Sequence, residues 1–126
     1  MWDVSDVIDM EGMFSSTAFN KDISQWDVSN VTNMSGMFAD SIFNQDISHW
    51  NVSKVENMCG KFEYSKFNQD ISHWDISQVK NMYSMFKASQ FNQNIDSWNV
   101  KRKCDIKNMF DNSKMDNLPI WYKKRM

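Results

Sequence analysis

Apolar residues recur along this chain in a fixed polar frame. Tryptophan falls at Trp2, Trp26, Trp50, Trp74 and Trp98, every 24 residues. Two residues after each stands Val4, Val28, Val52, Ile76 or Val100. Val31, Met34, Phe38, Phe43 and Ile47 follow Trp26, and each has copies in the neighbouring units. A period of this length marks stacked repeats, in which a unit buries its apolar face only against its neighbours. The units run 2–25, 26–49, 50–73 and 74–97, with a degenerate fifth at 98–115 and a C-terminal cap at 116–126, all one domain spanning 1–126.

Two spacings alternate inside a unit. Trp50 and Val52 are two apart, the signature of one strand face. Val79, Met82 and Phe86 are spaced like the apolar stripe of a short helix. Ser5, Ser29, Ser53 and Ser77 precede that stripe as N-caps, and Ser53 with Glu56 reads as a capping box. The pattern therefore predicts an α/β, leucine-rich-repeat-like solenoid of about five turns, each a short strand plus a short helix. Its predicted core is Trp26, Val28, Val31, Met34, Phe38, Phe43, Ile47, Trp50, Trp74 and Trp98. Asn20, Asn44, Asn68 and Asn92 read as local turn residues. The recurring Asn33, Asn57 and Asn81 have no assigned role.

Composition narrows the function classes. There are eleven Met, nine Phe and six Trp, and the formal net charge is −2. Only Lys101-Arg102-Lys103 and Lys123-Lys124-Arg125 are basic runs, too narrow a face for nucleic acid. No apolar run approaches a spanning helix. Cys59 and Cys104 fall at unrelated repeat positions and read as free thiols. No phosphate loop, nucleophile elbow or Cys-x-x-Cys occurs, so no catalytic, cofactor or metal residues are assigned and no enzyme is expected.

The candidate binding face consists of polar positions flanking each Trp: His49, Asn51, His73, Asp75, Asp27, Lys54 and Gln78. His49, Asn51, His73 and Asp75 could in principle ligate a metal, but two imidazoles and one carboxylate are thin for zinc. Asp3, Asp27, Asn51, Asp75 and Asn99 form a stripe that fits a tolerated polar position better than a convergent calcium site.

Phe43-Asn-Gln-Asp-Ile-Ser-His-Trp50 followed by Val-Ser, Asn-Met and Met-Phe resembles the BspA-like leucine-rich-repeat surface proteins. That group includes mycoplasma-type surface lipoproteins and related repeats in large DNA viruses and protists. The likeness covers nearly all of residues 2–115. It implies a non-catalytic protein- or glycan-binding scaffold acting in surface adhesion or host interaction. It places the chain at the cell surface or in secretion if a fragment of a larger surface protein, and in a cytoplasmic or viral setting if complete as given. The alternative is a spacer or self-assembly element. Leu118, Ile120, Trp121 and Tyr122 seal the last unit, whereas Val4, Val7, Met10 and Phe14 form an uncapped first layer. That asymmetry implies either self-association, as a homodimer through the N-terminal turn, or a chain cut from a longer array.

Overall fold

The computed structural model describes residues 2–126. The chain winds into coils of 24 residues that stack in register, so equivalent residues of successive coils lie against one another. The coils are built from turns. Among the described residues the regular elements are one helix, α1 (Ile120–Lys123), and isolated parallel bridges linking Asp9, Asn33, Asn57, Asn81 and Asp105. The expected α/β solenoid of leucine-rich-repeat type, with a strand and a helix in each turn, is therefore not the fold.

The misleading signal has a physical cause. Three reverse turns recur in the inner coils with their first and fourth residues facing the core. In the second coil Trp26 N–H donates to Ile23 O, Val31 to Val28 and Met37 to Met34. A spacing of three between apolar residues thus comes from β-turns, whose ends lie close together, and not from a helical stripe. A helix would also return its N–H groups to its own turn. Here Met34, Gly36, Phe38 and Asp40 donate instead to Asn57, Cys59, Lys61 and Glu63 of the next coil.

An Asx residue precedes each of these turns. Asp22, Asp27 and Asn33 accept through Oδ1 from the backbone N–H of Ser24, Ser29 and Ser35. Asn57 and Asn81 do the same for Cys59 and Tyr83, which gives that recurring asparagine its role. An Asx side chain closing on the N–H two residues ahead mimics a backbone turn. The serines are accordingly not N-caps. Ser53 N–H donates to Asn51, and Glu56, its expected capping-box partner, pairs with Lys80 at 3.1 Å.

The third turn needs two left-handed residues per coil. Gly12, Gly36 and Gly60 fill the first position with φ near +61° to +62°. Ser84 and Asn108 take it in the later coils, at φ 55° and 58°. Four residues on, Ser16, Asp40, Tyr64, Ala88 and Asn112 are also left-handed. Side chains usually avoid this region. Through Ala88, these residues turn their N–H into the ladder, as with Tyr64 to Lys87 O at 2.9 Å. Ser41, Ser65 and Ser89 are buried, and each hydroxyl accepts from the N–H of the Phe two residues on.

All the predicted core residues are buried, with Trp26 the most exposed at 7%. Phe38, Phe62 and Phe86 stack with centroids 5.6–5.8 Å apart, beside a second column of Phe43, Phe67 and Phe91 spaced at 6.3 Å. The tryptophans add a polar tie. Trp50, Trp74 and Trp98 donate Nε1–H to Ile23, Ile47 and Ile71 O, each 27 residues earlier, at 3.0–3.1 Å. A buried indole needs such a partner.

The C-terminal cap copies the next coil. Trp121 stacks on Trp98 at 6.4 Å and donates to Ile95 O at 2.9 Å, extending the indole series by one rung. Tyr122 meets Phe110 edge-on at 4.9 Å. At the other end the expected exposure of Val4, Val7, Met10 and Phe14 is not found, and Val7 is half-buried. Val4, Met10 and Phe14 are buried, the last stacked on Phe19, while Trp2, Ile8 and Met13 stay exposed.

Candidate functional site

The coils present their polar residues on ridges of turn tips. Ser-Gln25, Ser-His49 and Ser-His73 form the tips of the Ile-to-Trp turns, and Asn30, Lys54 and Gln78 those of the following turns. His49, His73, Lys54 and Gln78 are all exposed. The structure thus arranges these four candidates on two neighbouring ridges, one residue per coil. Lys54 reaches across to Asn30 Oδ1 at 3.1 Å, so tips of adjacent coils are within touching distance.

Asp27, Asn51 and Asp75 lie between the ridges in the chain, and their chemistry is partly committed. Each spends Oδ1 on its own turn. The Ser29 and Ser77 hydroxyls also donate to Asp27 and Asp75. Those hydroxyls, with the backbone N–H groups, hold both carboxyls below the usual carboxylate range. The stripe is therefore turn chemistry first, leaving one outward oxygen per carboxylate. Among the described residues no three His, Cys, Asp or Glu side chains converge in a metal-holding group.

Beside the first ridge, open grooves run between coils. One, of about 490 Å³, is lined by Asp22, Ser24, Gln25, Gln45, Asp46 and His49. Another, of about 420 Å³, is lined by Asp70, Ser72, Gln93, Asn94, Asp96 and Ser97. Backbone and hydroxyl donors on Ser48 and Ser72 hold Asp46 and Asp70 low, with the neighbouring His49 and His73 adding in the same direction.

An amide ladder runs alongside, sharing Gln45 and Gln93 with the groove linings. Asn44, Asn68 and Asn92 N–H donate to Oδ1 of Asn20, Asn44 and Asn68, at 2.8–2.9 Å. Gln45, Gln69 and Gln93 donate Nε2–H to the same asparagines, backbone and side chain together. The reading of these asparagines as local turn residues is thus corrected, because they bind between coils. Apart from His49, the residues lining the grooves escaped sequence reasoning, although the repeated Asn-Gln-Asp-Ile-Ser carried the signal.

The repeats also place the chain among known sequences. One family model matches it twice, over residues 1–66 and 41–121, a doubled overlapping match of the kind stacked repeats produce. The chain belongs to the family described as Mycoplasma protein of unknown function, DUF285. No curated protein and no solved structure gives a match. Membership of DUF285 fits the repeat reading, while the leucine-rich-repeat description fails on the missing strands and helices. No helix among the described residues is long and apolar enough to cross a membrane.

Proposed function

We propose that this DUF285 chain is a non-catalytic binding scaffold of the BspA-like surface type, engaging a protein or glycan partner in adhesion or host interaction. One observation carries the reading. Buried positions, the slot of Lys61 apart, barely change from coil to coil, while ridge positions vary more: Gln25, His49, His73 and Ser97 on one ridge, Asn30, Lys54 and Gln78 on the next. A frame that fixes its backbone and varies its exposed tips suits recognition, since function on a repeat scaffold lives in the exposed sites. The grooves beside the ridge offer amides, hydroxyls and carboxylates, the groups that fix a polar ligand's orientation.

The test is a surface variant. His49→Ala, His73→Ala, Lys54→Ala and Gln78→Ala together touch exposed side chains only, so the melting temperature should stay within a few degrees. Binding of the parent to a defined glycan array and to intact host cells, read by fluorescence, should fall at least tenfold in the variant. Equal binding by parent and variant, or no binding by the parent, would sink the proposal.

A second reading, a structural or self-assembly element that forms a homodimer through the N-terminal turn, draws on the exposure of Trp2 at 66%, Ile8 at 60% and Met13 at 39%. Apolar groups gathered at one end of a stack favour association.

A further inference from the structure

Lys61 stands where the other coils carry Met13, Met37, Met85 and Met109. It is 0% exposed, at the centre of the stack. Its Nζ lies 2.8 Å from Met34 Sδ and 3.8 Å from Met37 Sδ. The rings of Phe38, Trp50, Phe62 and Trp74 surround it, with centroids at 5.3–5.4 Å. These groups come from three consecutive coils, so one amine touches the joint between all of them. None of them titrates or carries a charge. The nearest ionisable neighbours in the chain are Cys59 and Glu63. The Glu63 carboxylate folds back over Gly60, where its Oε2 would stand 3.1 Å from an added Cβ. Burial first, and then Glu63 and Asp105, raise the Cys59 thiol. Burial is what acts on the Lys61 amine.

Ring faces attract a cation. Thioether sulfurs are weak acceptors and cannot replace water. An ammonium stripped of water without a counter-ion is strongly disfavoured. Burial alone accordingly pushes this amine well below the ordinary lysine range. We propose that Lys61 makes the middle of the stack an acid-sensitive joint, closed around the free amine and loosened when the amine is protonated and drawn to water. The alternative use of the slot is visible in the same chain, because a methionine fills it in every other coil without this liability.

The sign follows from linkage. Lysine in the unfolded chain titrates at about 10.4. In the closed stack the value is lower, so between the two the unfolded state holds the extra proton. Stability therefore rises with pH through that window and is level above and below it. Each unit of acidification inside the window favours unfolding about tenfold.

The decisive comparison is the intact chain against Lys61→Met, followed from pH 5 to 10 by denaturant unfolding and hydrogen exchange. The parent should lose stability about tenfold per pH unit within its window. The variant should lack that slope and be the more stable of the two at neutral pH. Protection factors at Phe62 and Trp74 should fall on acidification in the parent alone. Identical slopes, or a variant no more stable than the parent, would overturn the proposal. A direct readout on the parent guards against a variant that fails to fold: the nitrogen resonance of Lys61 Nζ should titrate below the other lysines. A Lys61 signal that stays charged throughout with the rest would be equally fatal to it.

Discussion

At the scale of single residues, the indoles contribute through both area and one directed bond. Trp50 is 4% exposed and its N–H is held by Ile23 O. Trp50→Ala should cost about 3–5 kcal/mol, read from urea unfolding. Trp50→Phe should cost less, since it keeps most of the area and removes the tie. Equal losses for the two would show that the bond, not the volume, matters. Gly36 offers a cleaner backbone test. It sits at φ +62° with open space around its missing Cβ, so Gly36→Ala meets no steric neighbour. Its cost, about 1 kcal/mol, is then the left-handed penalty alone. The thiols behave as the repeat positions implied. Cys59 and Cys104 are both free. Burial raises both thiols, Cys104 to about 11. Thiol labelling of the native chain near pH 7.5 should be slow at Cys59 and slower at Cys104, and rapid on unfolding. Residue burial was legible in the sequence because the period repeats each core position. Lys61 was not singled out, though aligning it with Met13, Met37, Met85 and Met109 exposes it at once.

At the scale of elements, the reverse turn replaces both strand and helix. The period predicted a stack correctly, but a spacing of three is ambiguous between a helix and a β-turn with both ends inward. The deciding clue lay in the polar residues. Asp27-Val28-Ser29-Asn30-Val31 and Asn33-Met34-Ser35-Gly36-Met37 share an Asx-apolar-x-x-apolar form, and only a turn uses the Asx. These turns make the fold sensitive to acid at its surface. Asp3, Asp22, Asp27, Asp46, Asp70 and Asp75 are all held below the usual carboxylate range by donors on the serine two residues ahead. A carboxylate lowered on folding stabilises fully above its unfolded value of about 3.9, and loses that stabilisation as pH falls through the lower folded value. These carboxylates are screened by solvent, so thermal melts should fall modestly below about pH 4. Asn51 and Asn94 already serve the same turns uncharged. Replacing Asp27, Asp46, Asp70 and Asp75 by Asn should thus preserve the fold and flatten that acid limb. An unchanged limb would remove the turns as its source.

At the scale of the whole molecule, the stack has a direction. Along the third turn, each coil through the fourth gives N–H groups to the next, which answers with carbonyls, as Met10, Gly12, Phe14 and Ser16 do to Asn33, Ser35, Met37 and Ala39. By that register the first coil turns the carbonyls of Asp9, Glu11, Met13 and Ser15 outward. The same end carries the side chains of Asp3, Asp6, Asp9 and Glu11, whereas Lys101, Arg102, Lys103, Lys107 and Lys123 to Arg125 gather at the other. A homodimer through the N-terminal turn must set carbonyls against carbonyls and carboxylates against carboxylates. Its favourable part is the burial of Trp2, Ile8 and Met13. Screening relieves repulsion and leaves apolar burial intact, the Debye length falling from about 10 Å at 0.1 M salt to about 3 Å at 1 M. Sedimentation equilibrium from micromolar to millimolar chain should therefore show association that tightens with salt and weakens on Trp2→Ser. Association that loosens with salt would instead assign the contact to the oppositely charged ends, with the Trp121 cap displaced. A monomer at every concentration and salt would remove self-assembly and leave the ridges as the working surface.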